Sequence, residues 1–292
     1  MKTMIEPTTR TLEVPGAVLT YDVRPNGAST EPTLMLIGLP MGAAGFNTLA
    51  SYFTDRTVVT YDPRGGDRST REDDSTPTTP DDHADDVHRL IAELGGGPVD
   101  LFGSSGGAVV GLALATRHAE DVRTLVAHEP PTAQVLPDRE EALAAVRAMH
   151  ETYQRNGFGP AMVRFISLVS VQGPIPPDFA DQEFPDPATL GMPADDDGSR
   201  NDILFGQTLL GLTHYQPDFD ALRRTSTRIV LAAGVESKLI LASRATYAIA
   251  KKLGQDVVVF PSHHSGFMGG EYGQAGEPEM FAANLREVLD EA

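Results

Sequence analysis

The sequence contains no cysteine among its 292 residues. Disulfide bonds, zinc sites built on thiolates and thiol nucleophiles are therefore excluded together. It also lacks any apolar stretch approaching the roughly 18 residues that a membrane-spanning helix needs. Residues 1–7 include no apolar run typical of a signal peptide. We therefore expect a cytoplasmic protein without a membrane partner.

Positive charge is scarce, since 23 lysines and arginines stand against 41 aspartates and glutamates, for a formal net charge of −18. Binding to nucleic acid or to an anionic lipid surface depends on clustered positive charge. Neither partner is expected here. The expected partner is a small molecule, bound by a monomer or a homodimer.

With 40% hydrophobic and 22% charged residues, the composition is typical of a globular protein with a sizeable core. Segments 11–14 and 17–23 flank Pro15-Gly16 and predict an antiparallel hairpin. Continuous apolar runs then alternate with helical patterns, and such runs suit strands buried on both faces of a parallel sheet. The predicted strands are 33–38, 57–62, 99–102 and 121–128, and the predicted helices are 46–53, 82–94 and 108–118.

The pattern changes after residue 130. Segment 131–227 is mostly helical, and the strand pattern returns only at 228–234, before a helix at 241–253, a strand at 257–260 and a helix at 278–289. An interruption of roughly a hundred residues is too long for a simple loop. We therefore divide the chain into a first core part, 1–130, a helical cap, 131–227, and a second core part, 228–292.

A candidate nucleophile lies in Gly103-Ser104-Ser105-Gly106-Gly107, which fits the pattern G-x-S-x-G with Ser105 at its centre. The motif follows an apolar strand and opens a helix of small residues, as a nucleophile elbow requires. Glycine on both sides lets strand and helix approach closely around a strained serine. A glycine-rich connection without chemistry is the alternative interpretation.

Three further segments accompany this motif: Ile37-Gly38-Leu39-Pro40, the loop 61–69 and the loop 260–267. Together with the elbow they make the chain, from about Leu12 onward, resemble the α/β-hydrolase fold family, in particular its capped esterases and lactonases. The resemblance implies a mostly parallel central sheet flanked by helices, with the cap inserted after the strand ending near His128. Ile37 and Asp67 depart from the family pattern, which usually has His at the first position and a small residue at the second.

By this resemblance Ser105 is the nucleophile and His264, favoured over the adjacent His263, is its base. The resemblance assigns the oxyanion hole to the backbone amides of Leu39 and Gly106. Met41 is close enough in the chain to be the donor instead of Leu39. Chain order places the triad acid after the strand that follows the cap, which indicates Glu236. Glu129, at the end of the preceding strand, is the alternative acid.

Side chains of the cap are candidates for the substrate pocket, although residues at helical spacing also pack the cores of such segments. They predict an apolar or aromatic substrate group. These substrate-binding candidates are Tyr153, Phe165, Phe205, His214 and Tyr215.

No nucleotide-binding glycine motif and no spacing of metal ligands stands out, so no cofactor and no metal are expected. The predicted activity is that of a cofactor-free serine hydrolase acting on a carboxylic ester, lactone or thioester. A carbon–carbon bond hydrolase or a perhydrolase would use the same triad. A catalytically silent member of the fold that binds a small molecule is the alternative from another class.

Overall fold

The computed structural model describes residues 6–193 and 195–291. Its centre is a nine-stranded sheet in which β1 to β4 and β6 to β9 follow the order β1-β2-β4-β3-β6-β7-β8-β9, and β5 pairs with β2. The strands are β1 (Thr8–Val14), β2 (Ala17–Arg24), β3 (Leu34–Ile37), β4 (Val58–Tyr61), β5 (Thr70–Arg71), β6 (Val99–Ser104), β7 (Val122–His128), β8 (Arg228–Gly234) and β9 (Val258–Phe260).

Strand direction divides the sheet into two parts. Strand β2 runs antiparallel to β1, β4 and β5. Every pairing from β4 through β3, β6, β7 and β8 to β9 is parallel. The carboxyl ends of the parallel strands therefore meet along one edge of the sheet, where open α/β sheets bind their ligands.

Helices cover both faces of the sheet. The α-helices of the described residues are α1 (Asn47–Ser51), α2 (Pro80–Glu93), α3 (Gly106–Arg117), α4 (Arg139–Asn156), α5 (Phe158–Val169), α6 (Leu209–His214), α7 (Phe219–Arg224), α8 (Leu241–Leu253) and α9 (Pro278–Asp290). Helices α1 and α9 pack an apolar cluster on one face, and α2, α3 and α8 contribute to a larger cluster on the other.

Helix α2 illustrates how local sequence sets an element. Thr79 accepts a hydrogen bond from the Asp82 amide, and the Asp82 side chain accepts one from the Thr79 amide, which together form a capping box before the first turn. Val87, Leu90 and Ile91 then follow at helical spacing and are fully buried. The helix predicted at 82–94 thus begins at Pro80, directly after its cap.

Between β7 and β8 the chain forms helices α4 to α7, several short 3-10 helices and a π-helix at Ile203–Thr208. We call segment 131–227 the insertion. Within the insertion, the π-helix is followed directly by α6. The helix predicted at 46–53 is shorter, because a 3-10 turn at Ala43–Phe46 precedes α1.

In the described part of the chain, no helix combines the length and the apolar character needed to cross a bilayer.

Candidate active site

Ser105 occupies the turn between β6 and α3. Its backbone lies at φ 57° and ψ −123°, a strained conformation for a residue with a side chain. The Ser105 amide donates a hydrogen bond of 2.9 Å to the carbonyl of His128 at the end of β7. The neighbouring strand thereby holds the turn in place.

The glycines around Ser105 are required by close backbone contacts. A Cβ atom on Gly103 would lie 2.6 Å from the carbonyl oxygen of Gly107, and one on Gly107 would lie 2.2 Å from that of Ile37. Real Cβ atoms essentially never come this close to backbone atoms. The glycine pattern that identified the motif therefore has a steric cause, because strand and helix touch on both sides of the serine.

A partly buried hydrogen bond joins His264 to Glu129 near this turn. The Nδ1–H group of His264 donates to Oε2 of Glu129 at 2.5 Å. The Glu129 side chain has 0% exposure, whereas the His264 side chain is 34% exposed. The Nδ1 edge of the imidazole thus contacts a buried carboxylate, and His264 also lines the cavity beside Ser105.

The surroundings of Glu129 fix its carboxylate. The residue has a positive φ of 51°, and its amide donates to the carbonyl of Ala232 at 3.0 Å. Oε1 accepts a hydrogen bond of 2.9 Å from the Gly234 amide. Burial acts to raise the pKa of Glu129, but the hydrogen bonds that its carboxylate accepts from His264 and from the Gly234 amide favour the ionised form, and the pKa lies below its ordinary value. The carboxylate is held in its ionised form.

Glu236, the acid favoured by chain order, does not make this contact. Beyond Gly234 the amides of Val235 and Glu236 pair with the carbonyls of Phe260 and Ser262. This pairing directs the chain along the loop after β9 and leaves the Glu236 side chain exposed. The expectation is corrected: Glu129 is the partner of His264, because its backbone conformation turns the carboxylate inward beneath Gly234.

Both ring nitrogens of His263 form hydrogen bonds with nearby backbone groups. Its Nε2–H donates to the carbonyl of Ala275 at 3.2 Å, and its Nδ1 accepts from the Ser265 amide at 3.1 Å. His264 and Ser105, in contrast, line one cavity. Among the described residues no hydrogen bond joins the Ser105 hydroxyl to His264, and such contacts are often long in enzymes without substrate.

The two predicted oxyanion donors are neighbours in space. Leu39 follows β3 and is 1% exposed, and Gly106 begins α3. A Cβ atom on Gly106 would lie 2.3 Å from the Leu39 carbonyl oxygen. The loop after β3 and the start of α3 are therefore in direct backbone contact beside Ser105.

The cavity at Ser105 measures about 390 Å³. Most of its lining comes from the insertion and from the start of α8, and none of the lining residues is Asp, Glu, Lys or Arg. The lining residues are Leu39, Pro40, Ser105, Pro131, Val146, Met149, Phe165, Leu168, Val169, Leu204, Leu209, Leu212, Thr213, Ile240, Leu241, Ala242, His264, Ser265 and Gln274.

Of the five predicted substrate-binding residues, Phe165 lines this cavity. Tyr153 and Phe205 instead pack against each other, with ring centroids 5.6 Å apart, in the core of the insertion. His214 donates through Nδ1 to the Leu210 carbonyl of its own helix at 3.0 Å, and Tyr215 packs partly buried against the main apolar cluster. For these four residues the structure supports the alternative interpretation as packing residues.

Several lining positions were not singled out from the sequence, above all Leu209, Leu212, Ile240 and Leu241. At these positions the sequence shows only an apolar run in segment 209–212 and apolar residues shortly after the strand at 228–234. Neither pattern differs from that of ordinary core residues, so only the packing of the insertion identifies them.

His128 lies next to the hydrogen-bonded pair of His264 and Glu129. Its ring centroid is 6.1 Å from that of His264 and 5.3 Å from that of Phe281. Within the described residues neither ring nitrogen has a hydrogen-bond partner. Burial lowers the pKa of His128 to about 4, so its imidazole is neutral at neutral pH.

Comparison with known proteins agrees with this architecture. Residues 31–271 match the model of the alpha/beta hydrolase fold family. The chain is 31% identical over 264 residues to the uncharacterized hydrolase YraK of Bacillus subtilis (strain 168), an alignment covering 88% of this chain and 89% of YraK.

Solved structures show the same fold. A thermophilic esterase from Thermogutta terrifontis, with malate bound, superposes with a TM-score of 0.67 at 21% identity and covers 98% of both chains. The enol-lactonase from Burkholderia xenovorans LB400 gives a TM-score of 0.63 at 17% identity, over 96% of this chain and 100% of its own. With its parallel strands, its strained serine turn and a family match over most of its length, the chain belongs to the α/β-hydrolase fold family.

Proposed function

We propose that the protein is a cofactor-free serine hydrolase that cleaves carboxylic esters, including lactones and thioesters. The observation that carries this proposal is the hydrogen-bonded pair of His264 and Glu129, opening into the same cavity as Ser105. A histidine held by a buried carboxylate beside a strained serine is the arrangement that activates a hydroxyl for acyl transfer.

In the first half of the reaction the Ser105 hydroxyl oxygen attacks the substrate carbonyl carbon, and Nε2 of His264 takes its proton. The imidazolium so formed is stabilised by Glu129, which receives Nδ1–H and has its other oxygen fixed by the Gly234 amide. Nε2–H then returns the proton to the leaving alcohol or thiol. An acyl group remains on Ser105.

In the second half a water molecule replaces the alcohol. His264 removes a proton from this water, the hydroxide attacks the acyl carbon, and the same proton passes to the Ser105 oxygen as the carboxylic acid leaves. Each tetrahedral intermediate places negative charge on the former carbonyl oxygen. The amides of Leu39 and Gly106 are the proposed donors to that oxygen, in keeping with their contact beside the turn.

The substrate group bound in the cavity is expected to be apolar and uncharged. Leucine, valine, methionine and phenylalanine side chains surround the space next to Ser105. A carboxylate or phosphate placed there would lose its hydration without meeting a lysine or arginine side chain. The net charge of −18 also disfavours anionic substrates at longer range. The similarity in fold to an esterase and an enol-lactonase is consistent with this substrate class.

The proposal is tested by labelling with a fluorophosphonate probe and by hydrolysis of p-nitrophenyl esters. We expect wild-type protein and the neighbouring variant Ser104→Ala to be labelled and active, and Ser105→Ala to lose labelling and several orders of magnitude of kcat. Ser104 lies at the end of β6 and is buried, so its variant controls for a general disturbance of the turn. Labelling that persists in Ser105→Ala, or a wild-type protein that is neither labelled nor active, would overturn the proposal.

A further inference from the structure

A second group of chemistry-bearing side chains lies at the far end of α3 from Ser105. His88 belongs to α2, His118 follows the last residue of α3, and Asp121 ends the 3-10 helix Ala119–Asp121. The 12 residues of α3 separate this group from Ser105 by about 18 Å, at 1.5 Å per helical residue. We call His88, His118 and Asp121 the distal cluster.

The three side chains lie close together, and a rotation of the stacked imidazoles is needed to point their nitrogens at one ion. Each has a potential ligand atom, an imidazole nitrogen or a carboxylate oxygen, and these atoms all lie within 4.8 Å of one another. His88 Nδ1 is 2.6 Å from Asp121 Oδ2. The two imidazole rings stack with centroids 3.8 Å apart and planes only 9° from parallel.

We propose that the distal cluster is a binding site for a divalent transition-metal ion, with Zn²⁺ the best fit. Imidazole nitrogen and carboxylate oxygen are ligands that Zn²⁺ binds at about 2.0–2.2 Å. Around a tetrahedral ion at those lengths, neighbouring ligand atoms lie about 3.3 Å apart. Side-chain rotations that change the present separations by about 1–2 Å complete the site.

A second carboxylate lies beside the cluster. Asp85, one turn before His88 on α2, has Oδ1 at 3.3 Å from His118 Nε2. Arg117 also donates to Asp85 at 3.1 Å and holds part of its charge. The ion therefore has three principal ligands, and its fourth position is filled by water or by Asp85.

The backbone that carries His118 and Asp121 is already fixed. Thr225 and Thr227 donate from their hydroxyl groups to the carbonyls of Ala115 and Ala119, at 2.8 and 3.1 Å. A Cβ atom on Gly97 would lie 2.6 Å from the Asp121 carbonyl oxygen, so the loop before β6 packs tightly against this turn. Little backbone ordering is left to oppose binding of an ion.

Exposure and charge also suit a cation. The His88 side chain is 36% exposed and that of Asp121 is 10% exposed, so an ion can enter while its ligands are partly shielded from water. The net charge of −18 raises the local concentration of cations around the protein. A bound ion would tie the last turns of α2 to the end of α3, the helix that begins at the proposed nucleophile.

The nitrogen ligands define which ions the site selects. Imidazole favours Zn²⁺, Cu²⁺ and Ni²⁺, whereas Mg²⁺ and Ca²⁺ prefer oxygen ligands alone. We therefore expect binding of Zn²⁺ to survive an excess of Mg²⁺. Binding driven only by the acidic surface would be displaced by Mg²⁺ instead.

The test is titration calorimetry of ZnCl₂ into the full chain without an affinity tag, together with thermal unfolding and the visible absorption of added Co²⁺. We expect one Zn²⁺ per chain, a Tm raised by about 5 °C at a hundredfold excess over Kd, and Co²⁺ bands typical of nitrogen and oxygen ligands. The ligand variants are His118→Gln and Asp121→Asn. Glu93→Gln is the control, because it removes one charge from an exposed position of α2 outside the cluster.

We expect the ligand variants to bind Zn²⁺ at least about tenfold more weakly and to lose the Co²⁺ bands, while Glu93→Gln behaves as wild type. Asp121 is buried and its variant can unfold, so His118→Gln, at a side chain that is 22% exposed, decides the outcome. Absence of saturable binding to wild type, displacement by Mg²⁺, or wild-type affinity in His118→Gln would each overturn the proposal. Because calorimetry reads binding directly, its result does not depend on the esterase proposal.

Discussion

The Nδ1–H group of His264 donates to Oε2 of Glu129 at 2.5 Å although 135 residues separate the two in the chain. The bond spans a strand, because Glu129 follows β7, His264 follows β9, and β8 lies between them. Gly234 ends β8 and donates to the other oxygen of Glu129. The carboxylate therefore ties together the carboxyl ends of three adjacent strands.

Glu129→Gln is expected to lower kcat for an ester substrate by about three to four orders of magnitude, because an amide cannot accept both Nδ1–H and the Gly234 amide as the carboxylate does. Glu236→Gln removes the same charge from an exposed side chain and should change kcat by less than about twofold. Steady-state rates of both variants, with folding checked by circular dichroism, make the comparison. The opposite ranking would assign the acid role to Glu236.

The cavity predicts a dependence on acyl chain length. Each methylene group that enters an apolar cavity contributes about 0.8 kcal/mol, so kcat/KM should rise about fourfold per added carbon until the 390 Å³ are filled. Phe165→Ala enlarges the cavity and should shift the preferred p-nitrophenyl ester to longer chains. Phe158→Ala lies in the same helix and also packs against Phe205, but Phe158 is not among the cavity-lining residues, so this control should leave the optimum unchanged. If Phe165→Ala prefers the same ester chain length as wild type, the acyl group binds outside this cavity.

The close contacts at the turn predict a difference between two glycines of α3. In Gly107→Ala the new Cβ would meet a backbone carbonyl at 2.2 Å, whereas in Gly111→Ala it would meet the end of the Leu125 side chain at 2.6 Å, which can move. We expect Gly107→Ala to lower the free energy of unfolding by more than about 2 kcal/mol and to abolish activity. Gly111→Ala should cost clearly less, since alanine favours the helix. Urea unfolding of both variants measures the difference, and equal losses would contradict it.

His128 predicts a loss of stability in mild acid. Its pKa is lowered to about 4 by burial, whereas an unfolded histidine titrates near 6.5, so between these values the unfolded chain binds the extra proton. Stability contributed by the neutral ring is complete above about pH 6.5 and falls as the pH drops toward 4. For one such group we expect a loss of about 1–2 kcal/mol between pH 6.5 and 5.

His128→Leu removes this titration and keeps an apolar side chain among the surrounding phenylalanines. Its free energy of unfolding should therefore depend less steeply on pH over that interval than that of wild type. Urea unfolding at pH 5 and 6.5 provides the measurement. Identical slopes for the two proteins would show that the His128 ring is not buried in its neutral form.

Local backbone geometry explains what could be predicted from the sequence. The serine turn was identified because steric contacts leave only glycine at positions 103 and 107, so the constraint is visible in the sequence as a glycine pattern. Strands β3, β4, β6, β7, β8 and β9 were predictable because a sheet covered on both faces requires continuous apolar runs, whereas the short β5 (Thr70–Arg71) was not predicted. The four motif segments made the chain resemble the α/β-hydrolase fold family, and the family match confirms this resemblance.

The choice between two acids could not be made in this way. Glu129 and Glu236 follow adjacent parallel strands, and the strand pattern treats them alike. The difference arises from a positive φ at Glu129 and from hydrogen bonds that direct Glu236 along the loop after β9. Likewise, the distal cluster joins α2 to the end of α3, so no local spacing of histidines indicated it.

Two different parts of the chain supply the residues proposed to cleave the ester bond and the residues that line the substrate cavity. Ser105, Glu129 and His264 follow strand ends, whereas most of the cavity lining belongs to the insertion. Redesign of the insertion can therefore alter substrate preference without touching the reactive groups. Variant libraries confined to insertion positions such as Val146, Phe165 and Leu209 can therefore be screened for activity on new substrates while Ser105, Glu129 and His264 stay unchanged.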